Sequence, residues 1–173
     1  MRKSTLVALA VTLAWLLGGH TIWAQQKGND KEHAELAKAL KGVKLSLEKG
    51  LSASESQGKP ISGKFEVEDG KLQLSVYTMK GEKFSEAIVD HKSGKVAKTE
   101  AITGGEDLSA AKAQSGAMAK AKVSLRNATE KAVKANKGFR AVSVTPSLKD
   151  GHPVAEVTLV KGDEFKAASE KLD

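Results

Sequence analysis

The sequence contains no cysteine, and this absence excludes several kinds of chemistry at once. Disulfides, cysteine nucleophiles, thiolate metal sites and lipid attachment through an N-terminal cysteine all require that residue. Aromatic residues make up only 4% of the chain and there are three prolines. The sequence also has no G-x-S-x-G elbow, no H-E-x-x-H pair and no phosphate-binding glycine loop. We therefore predict a protein that is not an enzyme, with no catalytic residues and no cofactor.

The first 24 residues have the organisation of an export signal. Arg2 and Lys3 precede an uncharged apolar run over 6–17, and Ala24 supplies a small residue for cleavage. Spanning a bilayer takes ~20 predominantly apolar residues, so this run is too short to span comfortably. We expect a signal peptide over 1–24 and a periplasmic or secreted mature protein without a stable membrane anchor. An uncleaved anchor is the alternative.

The net charge is modest and of mixed sign. The chain has 28 basic and 21 acidic residues, and the predicted signal peptide holds two of the basic ones, which leaves the mature protein at +5. Nucleic-acid-binding proteins usually cluster basic residues with exposed aromatics, a pattern that this chain lacks. We therefore expect no nucleic-acid partner. A weak attraction to anionic envelope polymers stays open.

The second half of the chain repeats features of the first. The segment 80–84 (Lys-Gly-Glu-Lys-Phe) recurs as 161–165 (Lys-Gly-Asp-Glu-Phe), and the Asp-Gly pair at 69–70 recurs at 150–151. Both recurrences have an offset of 81 residues. Because a repeat fixes the structural unit, we predict an α+β protein with two repeated units, each a helix packed on a small antiparallel β-sheet.

Local signals give bounds for these units. Ser46 and Ser124 are placed to cap helices, glycine ends each of them, and two further alanine- and leucine-rich stretches look helical. The predicted helices cover 31–41, 47–57, 108–122 and 125–136, a third strand covers 84–89 with a short continuation through 90–96, and 165–172 is either a strand or a frayed helix. The predicted organisation is repeat 1 with its preceding helix over 25–100, a linker over 101–107, and repeat 2 with its preceding helix over 108–173, without the closing hairpin.

The two Asp-Gly pairs predict hairpin register. A two-residue type I′ turn needs positive φ at both central residues, which aspartate tolerates and glycine favours. If these turns form, the apolar residues of each hairpin fall on one face. The predicted pairs are Glu68 with Lys71, Val67 with Leu72, Phe65 with Leu74, Gly63 with Val76, Ile61 with Thr78, Leu148 with Pro153, Val144 with Val157 and Val142 with Leu159.

This order of capped helix, strand, Asp-Gly turn, apolar strand, glycine turn and third strand resembles the PepSY domain. The resemblance rests on Ser46-Leu47, Gly58, Asp69-Gly70, residues 72–77, Gly81 and the run Asp90-His91-Lys92-Ser93-Gly94-Lys95-Val96. It covers 45–96 well and 123–173 less completely. The resemblance implies a non-enzymatic module of the bacterial envelope that binds or restrains peptidases or acts as an extracytoplasmic sensor.

Two further motifs have simpler structural explanations. Ser46 and Ser109 each begin an S-x-x-K sequence, but Ser46 is better explained as a helix cap. His33, His91 and His152 stand apart from one another, which favours solvent-exposed residues over a metal site. Binding of a metal, a small molecule or an anionic polymer is the alternative to a protein partner.

The first strand offers a candidate partner-binding edge. An edge strand can take up an extended peptide, and proteins often blunt such edges with charged residues or proline. Lys64, Glu66 and Glu68 are the predicted edge residues, and Pro146 suggests that its strand is an edge or is bulged there. We therefore predict an extracytoplasmic module that binds a protein or peptide partner in the envelope, such as a peptidase.

Overall fold

The protein is described by a computed structural model that covers residues 22–173, with side chains from residue 30 onward. Residues 1–21 of the predicted signal peptide lie outside the described residues. None of the described helices is long and apolar enough to cross a membrane. The helices are α1 (Ile22–Ala39), α2 (Leu47–Ser54), α3 (Gly105–Lys120) and α4 (Leu125–Ala135), and the strands are β1 (Lys59–Glu68), β2 (Lys71–Lys80), β3 (Lys83–Val89), β4 (Val96–Ile102), β5 (Arg140–Lys149), β6 (His152–Lys161) and β7 (Glu164–Lys171).

All seven described strands form one antiparallel sheet in the order β4-β3-β2-β1-β5-β6-β7. Two hairpin systems therefore meet in the middle, where β1 pairs with β5 over Gly63–Val144 and Lys64–Ser143. The predicted α+β class is confirmed. The prediction that 165–172 is either strand or frayed helix resolves to strand, β7. The predicted continuation over 90–96 is a turn up to residue 95, and the strand that follows, β4, begins at Val96 and extends into the predicted linker.

The predicted Asp-Gly turns are confirmed. Asp69 and Gly70 have φ of 49° and 73°, and Asp150 and Gly151 have φ of 52° and 82°, as type I′ turns require. The hairpin register matches the prediction next to each turn. The predicted pairs of Ile61 with Thr78 and of Val142 with Leu159 are wrong, because Ile61 and Val142 each form a β-bulge that shifts the pairing by one. Thr78 pairs with Pro60 instead, and Leu159 pairs with Ala141.

Helices cover both faces of the sheet. A Cβ atom on Gly50 of α2 would overlap Leu74 Cδ2, so α2 lies directly on the face that carries Leu74. Alternate residues of a strand point to opposite faces, and Tyr77 and Met79 of β2 therefore point to the other one. There Tyr77 contacts Asp107 of α3 and Met79 contacts Ser115 of α3.

The hydrophobic core is shared by both halves of the chain. Leu47, Leu51 and Leu74 from the first half and Leu125 and Leu159 from the second belong to one cluster of buried side chains, each at most 2% exposed. Burying a leucine contributes about 1.5–3 kcal/mol relative to its exposure. The sheet and its core therefore hold residues 30–173 together as one packed body.

Candidate functional site

The predicted edge residues lie on an interior strand of the sheet, although its pairing with β5 reaches only Lys64. Lys64, Glu66 and Glu68 belong to β1, which lies between β2 and β5 in the middle of the sheet. Lys64 pairs with Ser75 on one side and with Ser143 on the other. The edge assignment is wrong because a local sequence does not contain the long-range pairing that brings β5 alongside β1.

Pro146 also lies in an interior strand. β5 is flanked by β1 and β6, and its bulge is at Val142, four residues before the proline. Since proline has no N–H to donate, it is tolerated only where no ladder bond is needed. The paired residues between β5 and β1 end at Val144, two residues before Pro146, so this part of β5 does not rely on that bond.

The charged residues of β1 form a polar cluster with β2. Lys64 Nζ lies 2.6 Å from Glu66 Oε2, and the Ser75 hydroxyl and the Gln73 amide donate to Glu66 Oε1 at 2.7 and 3.1 Å. Burial raises the pKa of the Glu66 carboxyl, but Lys64, Ser75 and Gln73 together outweigh it and hold that pKa below its ordinary 4.5. Glu66 is therefore a well-partnered carboxylate.

A second set of polar groups lies beside this cluster, under α3. The Tyr77 hydroxyl donates to Asp107 Oδ1 at 2.8 Å. Burial and the Asp107 carboxylate raise the pKa of Tyr77 far above its ordinary 10. Glu86 pairs with Tyr77 across β2 and β3, and burial together with the negative charges of Glu66, Glu100 and Asp107 raises its pKa above 4.5.

This polar face positions α3 and carries negative charge. Tyr77 and Met79 attach α3 to β2, and the Lys59 ammonium donates to the Met118 carbonyl at 3.3 Å near the end of the helix. Among residues 22–173, no three His, Asp or Glu side chains are arranged to hold a metal ion. The arrangement fixes a helix on a sheet, and Glu100 of β4, which pairs with Glu86 of β3, has an ion-pair partner in Lys98, 2.7 Å away.

The three histidines have separate environments. The ring of His33 stacks on Phe165 with centroids 4.0 Å apart, which attaches α1 to the start of β7. His152 Nδ1 lies 2.7 Å from Asp173 Oδ2, and His91 lies in the turn between β3 and β4. The structure does not bring the three together.

The serines of the two S-x-x-K sequences have structural contacts. Ser46 caps α2, because its hydroxyl accepts a hydrogen bond from the Lys49 N–H at 3.3 Å, and Ser124 caps α4 in the same way through Asn127. The Ser109 hydroxyl donates to the Gly105 carbonyl within α3. The predicted helix caps are confirmed.

The outer strands of the described sheet are β4 and β7, and the backbone pattern shows which groups point outward. A two-residue loop joins β6 to β7, so Lys161 and Glu164 exchange backbone hydrogen bonds. From Glu164 onward, every second residue of β7 therefore directs its backbone N–H and C=O groups toward β6. The N–H groups of Phe165, Ala167, Ser169 and Lys171 therefore point away from the sheet.

The same alternation applies to β4. Lys80 and Lys83 close a two-residue loop, so Phe84, Glu86 and Ile88 direct their backbone groups to β4, where they pair with Ile102, Glu100 and Lys98. Thr99 and Ala101 consequently direct their N–H and C=O groups outward. Sequence reasoning did not find β4, although Val96, Thr99 and Ile102 are residue types that favour strands.

Comparison of the chain with family models, with curated proteins and with solved structures finds no match. The resemblance to the PepSY domain consequently stays a prediction from turns and core positions. Turns and core positions specify a fold more than an activity, so function has to be argued from the surfaces of this molecule.

Proposed function

We propose that the mature chain is a non-enzymatic binding module of the bacterial envelope, built of two PepSY-like units, that takes up an extended segment of a partner protein such as a peptidase. Each unit has a serine-capped helix, a hairpin with a bulge at the same position of its first strand, and a third strand. Ile61 and Val142, the bulged residues, are 81 positions apart, which is the offset of the sequence repeat. This correspondence supports two repeated units.

The observation that carries the proposal is the outer edge of β7. The β6–β7 pairing is regular over eight residue pairs, without a bulge, from Lys161–Glu164 to Val154–Lys171. Proteins often blunt unused edges with bulges, proline or charged side chains. This edge has no bulge and no proline, and its charged residues are Glu164, Lys166, Glu170 and Lys171. A partner segment would bond to the outward groups of β7 by β-augmentation.

The end of β7 is held in place, which favours binding by a preformed edge. The Leu172 N–H donates to the Pro153 carbonyl at 2.9 Å, and the Leu172 carbonyl accepts from the N–H groups of Lys122 and Val123. Leu172 itself is fully buried. An edge that is already ordered loses less conformational entropy on binding.

The test is crosslinked affinity capture from the native envelope with the exported chain as bait. Ala167→Pro removes an outward N–H of β7 and keeps the ladder to β6, whereas Ala101→Pro does the same on β4 and serves as the matched control. We expect one envelope protein that the wild type and A101P capture and that A167P loses. Equal capture by all three, with A167P still folded by circular dichroism, would contradict binding at β7.

A further inference from the structure

The outer edge of β4 is complementary to itself. In an antiparallel pair of two copies centred on Thr99, each Lys98 lies opposite Glu100 of the second copy. The bulge at Ala97 limits the regular pairing to these three positions. We propose that two copies of this chain associate through this β4–β4 pairing, which joins their two sheets into one continuous sheet around a two-fold axis.

The charge pattern favours this register over the two centred on the neighbouring residues. Residues that pair across two antiparallel strands point to the same face of the sheet. For two identical strands related by a two-fold axis perpendicular to the sheet, this requires that the pair be centred on a residue that lies opposite its own copy. Centring the pair on Lys98 or on Glu100 would place like charges directly opposite each other, which destabilises a strand pair. Centring it on Thr99 places two opposite-charge pairs on the same face.

The backbone of β4 suits the same register. The N–H and C=O groups of Thr99 point outward, so Thr99 would exchange two hydrogen bonds with Thr99 of the second copy. Lys98 and Glu100 then occupy non-hydrogen-bonded pairs, in which the Cα atoms approach to about 4.5 Å and side chains are closest. The Lys98 and Glu100 side chains of the two copies therefore lie at the closest approach that an antiparallel strand pair allows.

The second copy would also bring a cation to the acidic side of the sheet. Lys98 and Glu100 lie 2.7 Å apart in their own chain and are 63% and 53% exposed, so both are accessible. Glu100 pairs with the half-buried Glu86, and Asp107 and Glu66 contribute further negative charge to that face. Lys98 of the second copy, opposite Glu100, would add positive charge beside this group.

The other outer strand suits a second copy less well. On β7, Glu170 is 13% exposed and already lies 2.7 Å from Lys131, and Lys166 Nζ lies 4.2 Å from the centre of the Phe139 ring. The β4 edge has a bulge at Ala97, at one end of the strand, which leaves Lys98 to Ile102 regular. One strand pair buries little surface, so we expect a weak dimer that forms at high protein concentration.

Sedimentation equilibrium of the full mature chain tests this pairing, at low salt and over rising concentration. Lys98→Glu alone and Glu100→Lys alone each place like charges opposite each other twice, and each should weaken self-association at least tenfold. An equimolar mixture of K98E and E100K should associate again, because one edge is then fully acidic and the other fully basic. Lys166→Glu changes the net charge as K98E does but lies on β7, and should associate as the wild type does.

Several outcomes would overturn the proposal. They are a wild type that stays monomeric at millimolar concentration, a K98E chain that dimerises as tightly as the wild type, and a K98E and E100K mixture that does not associate although each chain is folded by circular dichroism. Loss of association in K166E would place the contact at β7 and would also contradict it. Partner capture through β7 is an independent result, since K98E and E100K leave β7 unchanged.

Discussion

Gly63 of β1 lies directly opposite Val144 of β5, the residue 81 positions later in the chain. The two hairpin systems are joined here, and the pairing is short, with only Lys64 and Ser143 beside it. A Cβ atom on Gly63 would lie 3.1 Å from Leu51 Cδ2, so glycine lets α2 pack closely over the place where the two halves meet.

This relationship predicts that Gly63→Val destabilises both halves together. The added side chain would crowd Leu51 and Val76, and overpacking of this kind costs typically about 1–3 kcal/mol. Hydrogen exchange should show amides of β2 and of β6 losing protection to the same degree, because one sheet and one core connect them. Loss of protection confined to β1–β4, with β5–β7 unchanged, would indicate two independently stable units instead.

Two helical glycines should respond in opposite directions to alanine. Gly50 of α2 lies against Leu74, so Gly50→Ala requires the buried Leu74 side chain or α2 to shift and should lower the free energy of unfolding by about 1–3 kcal/mol. Gly116 of α3 has nothing within 4 Å of its Cβ position, so Gly116→Ala should raise it by up to ~1 kcal/mol through helix propensity. Urea denaturation of both variants measures the difference. A stabilising G50A would mean that α2 does not pack this closely.

Arg140 attaches the start of β5 to the loop before α2. Its guanidinium donates to the carbonyls of Val43 and Leu45 at 2.8 and 2.5 Å and lies 5.6 Å from the centre of the Phe65 ring. Arg140→Met keeps most of the apolar contact but leaves both carbonyls without this donor, and should cost about 1–3 kcal/mol.

Arg126 provides the matched control for this arginine. It lies on α4, is about half exposed, and its nearest partner, Glu130, is 4.0 Å away. Arg126→Met should therefore change the unfolding free energy by less than about 0.5 kcal/mol. Equal effects of the two substitutions in urea denaturation would contradict a structural role for the Arg140 hydrogen bonds.

Local chemistry explains which parts of the fold were predictable. The Asp69-Gly70 and Asp150-Gly151 turns, and the caps at Ser46 and Ser124, depend on residues within a few positions of each other, and all four are confirmed. The two bulges were missed because the predicted register assumed one residue opposite one throughout, whereas a bulge places two residues opposite one.

The candidate site could not be located because it depends on strand order. Glu66 and Lys64 carry charges that are typical of a blunted edge, but β5 lies alongside β1 at Lys64. Lys64 forms an ion pair with Glu66, which also accepts hydrogen bonds from Gln73 and Ser75. Arg140 and its carbonyl partners are 95 and 97 residues apart in the chain, which no local pattern indicates. The outer strands, β4 and β7, can be identified only once the pairing of all seven described strands is known.

Glu66 and Glu86 lie near each other on the polar face, and their substitutions should have opposite effects at neutral pH. The pKa of Glu66 is lowered, so its ionised form stabilises the fold above pH 4.5, and this contribution is lost as the pH falls through the folded-state pKa. Glu66→Gln should lower the unfolding free energy at pH 7 by about 1 kcal/mol, with a smaller difference from wild type below pH 4.

Ionisation of Glu86 destabilises the fold, whereas ionisation of Glu66 stabilises it. The pKa of Glu86 is raised, chiefly by burial and also by the nearby Glu66, Glu100 and Asp107. Its contribution to stability is therefore fully present below pH 4.5 and is lost as the pH rises through the folded-state pKa. Glu86→Gln removes the buried negative charge and should raise the melting temperature at pH 7, with the gain disappearing near pH 4. The exposed Glu82→Gln controls for net charge. If E86Q melted below wild type at pH 7 while E82Q did not, stabilising partners of the Glu86 carboxylate would outweigh its burial, and the Ser75 hydroxyl would be the first candidate to test.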